Sequence, residues 1–231
     1  MLNQKSIEEL LKTLKNRQGT TMLEEFRTKY TPFQILVATV MSARTKDTTT
    51  IPIADNLFKT HKTPDDFIKV PTEKLENLLY GIGFYRTKAK HIKELSRILK
   101  EKYQNRVPKD MNKLLELPGV GRKTANCVLA YAFRIPSIPV DVHVHRISNR
   151  IGLVKTKTPE DTEQALFKTI PKEHWLDINE LFVTHGQTIC LPRKPMCPVC
   201  PINKWCDYSK KVFQKMNGID KEVKNKIGNN Y

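Results

Sequence analysis

Apolar positions recur along this chain at helical spacing, and capping residues mark where helices begin. Ser6 precedes Ile7-Glu8-Glu9-Leu10-Leu11 and predicts a capped amphipathic helix with acids in its first turn. Thr31-Pro32 opens the run Phe33 to Met41, which is apolar nearly all round and predicts a buried central helix. Thr63-Pro64, Pro71-Thr72 and Thr158-Pro159 open further helices. Ile170-Pro171 precedes one that carries Trp175, Leu176, Ile178, Leu181 and Phe182. Proline recurs at these starts because its missing N–H would have no helical partner there. No convincing strand is present. The one candidate, Ile135 to Val144, is short and holds Pro136 and Pro139. The pattern reads all-α, without a fixed-period repeat. Its last stretch, Lys210 to Tyr231, is basic and polar and reads as a frayed helix and tail.

One junction in this pattern carries chemistry. The apolar-periodic stretch Met111 to Glu116 ends at Leu117, and Pro118 cannot continue it. Gly119 and Gly121 permit left-handed backbone and close approach, and a new helix starts near Arg122, running through Val128, Leu129, Tyr131 and Phe133. Two helices joined by a Gly-x-Gly hairpin direct the second helix's first N–H groups outward, which suits an anion such as phosphate. Lys123 falls in that first turn, a poor place for a cation and a good one for a neutral, nucleophilic amine. A surface lysine at an ordinary helix start is the other reading of the hairpin alone.

Composition narrows the partner. Hydrophobic residues make up 39% and charged residues 28% of 231, as in ordinary globular proteins. Forty Lys and Arg against 24 Asp and Glu leave a net +16, which points to a polyanion: nucleic acid, or less often an acidic membrane surface. The start lacks the apolar core of a signal peptide, and no apolar run is long enough to span a membrane. An intracellular protein with reduced thiols is expected.

Four of the five cysteines are crowded as C-x6-C-x2-C-x5-C at Cys190, Cys197, Cys200 and Cys206. In a reduced compartment this predicts a metal site. Only one C-x2-C knuckle exists and no histidine lies inside the run, so a 4Fe–4S cluster is favoured over zinc. The first arm holds Arg193 and Lys194 between Pro192 and Pro195, where a clamped loop would present both cations to phosphates. Cys127 lies on an apolar helix face and reads as a small buried hydrophobe. Two connections complete the inventory. Ser42 to Asp47 follows the buried helix, and Gly81 to Lys88 places Phe84 and Tyr85 among glycines and cations. Those aromatics are either core or, for one of them, a wedge for a base stack.

Leu117–Asn126, Pro139–Arg150, Thr184–Cys190 and the cysteine run together resemble the endonuclease III family, the iron–sulfur branch of the helix-hairpin-helix DNA glycosylases. The likeness extends in order and spacing from about Ile7 to Tyr208. It implies two helical domains with a DNA-binding cleft between them. One is a six-helix barrel with the helix-hairpin-helix at residues 25–135. The other is a cluster domain from residues 1–24 and 136–209, with 210–231 as a basic tail. It implies Lys123 as catalytic lysine and Asp141 as catalytic aspartate, on duplex DNA with damaged or abasic sites. Gly119, Val120 and Gly121 would bind the DNA backbone. Phe84 falls at the wedge position. Arg44 falls where better-known members carry a glutamine that fills the gap left by the flipped base. The activity implied is a bifunctional glycosylase and abasic-site lyase on oxidised pyrimidines, in a monomer of the cytoplasm and nucleoid. A monofunctional adenine-mismatch glycosylase and a non-enzymatic DNA-binding module are the competing readings.

Overall fold

A computed structural model describes residues 2–16 and 21–214. Its α-helices are α1 (Gln4–Lys15), α2 (Met22–Lys29), α3 (Pro32–Ser42), α4 (Asp47–Thr60), α5 (Pro64–Lys69), α6 (Thr72–Leu78), α7 (Tyr85–Tyr103), α8 (Met111–Leu115), α9 (Arg122–Cys127), α10 (Val142–Ile151), α11 (Pro159–Thr169) and α12 (Trp175–Thr188). Residues 207–214 are also helical, and no strand occurs among the described residues. No described helix is long and apolar enough to cross a membrane. The expected tail lies, from residue 215 on, outside the described residues.

The chain divides into two compact units, one of Thr20–Pro139 and one drawn from both flanks. In the first, α3 is central. Every residue from Phe33 to Met41 is buried, and the helix packs on α2, α4, α7 and α9. Each such Leu, Ile or Phe contributes about 1.5–3 kcal/mol of transfer energy. A reciprocal capping box of Thr31 and Gln34 fixes its start, as the Thr-Pro signal predicts. In the second unit, α12 receives α10 and α1, burying Ile178 and Phe182 with Val144, Ile147, Ile151, Leu10 and Leu14.

Several expectations change. α1 begins at Gln4, not after Ser6. Asn3 caps it, its Oδ1 accepting from Ser6 N at 2.9 Å. Asparagine caps as well as serine, and the earlier start adds most of a turn. Pro71 occupies the N-cap of α6 itself rather than its first turn. The helix expected through Phe133 is α only to Cys127, then π-helical over Val128–Ala132. As expected, the segment Ile135 to Val144 forms no strand, and its end is the start of α10. Two long helices, α4 and α7, have no counterpart in the sequence pattern. α7 begins inside what reads as the second connection, so Tyr85 to Lys88 are helical.

Candidate DNA interface, nucleophile and thiolate centre

Asp110 caps α8 through Lys113 N at 3.0 Å, and the helix ends against buried Leu117. Val120 N then donates to Leu117 O at 3.0 Å, closing the turn. Gly119 has φ +80°, and a Cβ there would meet the His91 ring at 3.0 Å, so the position requires glycine. Gly121 caps α9 with extended backbone, brings no capping side chain, and has nothing within 4 Å of where a Cβ would lie. The Val120 side chain is buried. The hairpin therefore offers backbone, open at Gly121, rather than side chains, to an approaching phosphate. Lys123 follows as the second residue of α9, half-buried. Behind it Thr124 to Cys127 are buried, and Cys127 is the small core residue expected.

Asp141 belongs to the other unit and is the N-cap of α10. Its Oδ1 accepts from His143 N at 2.8 Å and Val144 N at 2.9 Å. Among the described residues its Oδ2 makes no hydrogen bond, so one oxygen holds the helix while the other is available to a ligand.

The two connections come together. Phe84 is 64% exposed, which removes the core-packing reading. Tyr85 is half-buried, its ring edge-on to Tyr80 at 5.7 Å. The Arg44 guanidinium lies over the Phe84 ring at 5.8 Å. Both residues are left-handed, Arg44 at φ 55° and Phe84 at φ 58°. Such conformations cost side-chain-bearing residues of order 1 kcal/mol or more and gather at functional sites. Gly83 lets the loops approach, since a Cβ there would sit 2.9 Å from Arg44 O.

Cys190, Cys197, Cys200 and Cys206 line one small cavity of about 20 Å³, with Arg150, His185 and Tyr208 in its wall. All four are free thiols. Burial pushes Cys200 up to about 11 and raises Cys197 and Cys206 as well, with neighbouring thiols adding to the rise. Four such sulfurs become thiolates together only around a cationic group. No three described His, Cys, Asp or Glu side chains are gathered as they would be around a single ion. The donor set around this cavity is four thiols, with no carboxylate in its wall.

Sequence reasoning missed what braces this loop. Arg150 donates to Cys190 Sγ at 3.3 Å, to Leu191 O at 2.8 Å and to Pro192 O at 2.7 Å. Arg146 donates to Cys190 O at 2.9 Å and to Gly186 O at 3.1 Å. Their four-residue spacing on α10 puts them on one helix face, which is the local signal for such a pair. His185, on α12, reaches Cys200 Sγ with Nε2 at 3.6 Å. Arg193 and Lys194 are exposed on the braced arm.

Comparison with known proteins agrees with this geometry. The model of the HhH-GPD superfamily of base excision DNA repair proteins matches residues 37–172, more than half of the chain. Endonuclease III of Thermotoga maritima is 49% identical over 177 residues, covering 77% of this chain and 83% of that protein. Endonuclease III of Escherichia coli K12 is 38% identical over 181 residues, covering 78% and 86%. Among solved structures, a non-covalent endonuclease III–DNA complex superposes with TM-score 0.83 at 37% identity, covering 93% of this chain and all of that one. A trapped endonuclease III–DNA covalent intermediate gives 0.79 at 37%, covering 92% and all.

Proposed function

Because the chain belongs to the HhH-GPD superfamily of base excision DNA repair proteins, we propose that it excises oxidised pyrimidines, such as thymine glycol, from duplex DNA and then cuts the strand at the abasic site. The observation that carries this reading is the placement of Lys123. It stands in the first turn of a helix launched from a glycine hairpin whose backbone is open to a phosphate. A plain hydrolase needs a carboxylate and a water; a lysine there gives the enzyme its second activity.

The target base is unreachable inside the duplex and must rotate out, at a cost of a few kcal/mol that damage reduces. Backbone contacts at Gly119, Val120 and Gly121, with Arg193 and Lys194 on other phosphates, offset that cost without reading sequence. Phe84 enters the stack and Arg44 occupies the vacated space. As the glycosidic bond lengthens, positive charge grows at C1′, and the Asp141 carboxylate stabilises it. The neutral amine of Lys123 attacks C1′. The C1′–N bond breaks and its electron pair leaves with the base, which takes up a proton. The sugar ring opens to a Schiff base on Nζ. Loss of a C2′ proton then expels the 3′ phosphate, and water releases the lysine.

Cys190, Cys197, Cys200 and Cys206 are the residues that would hold a 4Fe–4S cluster. When bound it supplies metal–thiolate bonds that hold the Arg193–Lys194 arm, and the chemistry above needs no electron from it. The net charge of +16 supports DNA as the partner.

The test is incubation with duplexes carrying thymine glycol, an A·G mismatch, or no lesion. Release of the oxidised base with a strand cut on its 3′ side supports the proposal. Release of adenine without a cut indicates a monofunctional mismatch enzyme. Binding without release of any base indicates a non-enzymatic module.

A further inference from the structure

Lys88, in the first turn of α7, is 7% exposed, too deep to meet DNA. No carboxylate pairs with its ammonium among the described residues. It donates instead to Met41 O at 2.8 Å, to Ala43 O, and to Thr45 Oγ1 at 3.3 Å. Met41 and Ala43 lie at the C-terminal end of α3, where carbonyls lack helical partners and the dipole is negative, so a cation is favoured. Thr45 Oγ1 also accepts from Gly83 N at 3.1 Å. One buried ammonium and one hydroxyl therefore tie the segment after α3 to the turn before α7.

Each tied segment displays one exposed residue on left-handed backbone, Arg44 and Phe84, and the two side chains stack on one another. A loop held only by its ends would relax from such a conformation. Burial pushes the Lys88 amine down to about 8, so stability is given up to keep a charge at this position. A methionine would fill the space without that cost, but it would leave the buried Met41 carbonyl and the partly buried Ala43 carbonyl without this donor.

We propose that Lys88 is a positioning residue that holds Arg44 and Phe84 as one preformed unit, so that wedge and gap-filler enter the duplex together and set how well a damaged pair is told from an intact one. The proposal rests on the reading of function above and adds a determinant of lesion selection that itself never touches substrate.

The experiment compares wild type with Lys88→Met and Thr45→Val on two duplexes. One carries thymine glycol, which must be extruded. The other carries a preformed abasic site, where no base remains to extrude. Single-turnover excision is followed on the first and borohydride trapping on the second, with 2-aminopurine opposite the lesion reporting unstacking. Lys88→Met is expected to slow excision by on the order of 100-fold and to abolish the 2-aminopurine rise, with trapping on abasic DNA within about 3-fold of wild type. Thr45→Val, half-exposed and nearly isosteric, is expected to lose about 10-fold in excision alone and serves if Lys88→Met fails to fold. Equal excision by wild type and the folded variants overturns the proposal, as does an equal loss on both duplexes. A wild type that cuts abasic DNA but excises no oxidised base overturns the reading of function instead.

Discussion

Replacing Asp141 tests whether one carboxylate does two jobs, the observed capping of α10 and the proposed stabilisation of charge at C1′. Oδ1 accepts two backbone N–H groups at the start of α10, at 2.8 and 2.9 Å. Removing an N-cap acceptor costs about 1 kcal/mol within a range of about 0.5–2, and losing the anion at the dipole's positive end adds about 0.3–1. Asp141→Ala loses both and should unfold about 3–8 °C earlier, at about 2–4 °C per kcal/mol for a chain of this size. Asp141→Asn keeps the acceptor and loses only the charge, so its melting point should fall by about 1–4 °C, less than that of Asp141→Ala. Catalysis should rank differently. Both variants lack the charge that the proposed mechanism uses at C1′ and should excise thymine glycol about 100- to 1,000-fold more slowly. Thermal melting and single-turnover excision on the same preparations give both numbers. Wild-type excision by Asp141→Asn would refute the catalytic reading; a melting loss as large as that of Asp141→Ala would refute the split between oxygen and charge.

Three further outcomes follow from the remaining geometry. DNA affinity should fall with salt at a log–log slope of about −5 to −7, for ~5–8 neutralised phosphates, and Arg193→Ala with Lys194→Ala should flatten it by about 2; a slope unchanged in the pair removes that arm from the interface. The purified protein should be brown, and Cys200→Ser should lose that colour and weaken DNA binding, whereas a colourless wild type holding zinc contradicts the cluster assignment. Lys88 titrates at about 8 in the fold against 10.5 unfolded, through burial alone. Between these values the unfolded chain binds the extra proton, so this group's effect on stability becomes more favourable as pH rises. Excision of thymine glycol should nevertheless fall above about pH 8 as the ammonium is lost, with no matching fall in melting temperature from this group. Lys88→Met should lack that alkaline fall relative to wild type.

The parts of this molecule legible in its sequence are those governed by neighbours in the chain. Thr31-Pro32 with Gln34, and Pro118 with Gly119 and Gly121, declare a helix start and a hairpin through local sterics and capping. The cysteine spacing declares a four-thiol centre, and the fold brings all four to one cavity. α7 was hidden because the residue that breaks into its start, Phe84, is left-handed without being glycine, and tertiary contacts impose that conformation. Ser6 misled because Asn3, three residues earlier, caps equally well. Arg146 and Arg150 left a weak local trace in their spacing, but their acceptors lie some forty residues away. Lys88 left none: in sequence it is one more basic residue in a basic chain, and only the fold brings Met41, Ala43 and Thr45 around it.

The central claim is that Lys123 is the nucleophile, and borohydride trapping tests it most directly. Wild type, reduced in the presence of an abasic-site duplex, should form a stable protein–DNA crosslink. Lys123→Ala should form none while still binding the same duplex within about tenfold. A normal crosslink from Lys123→Ala would contradict the account, because another amine would then be forming the Schiff base.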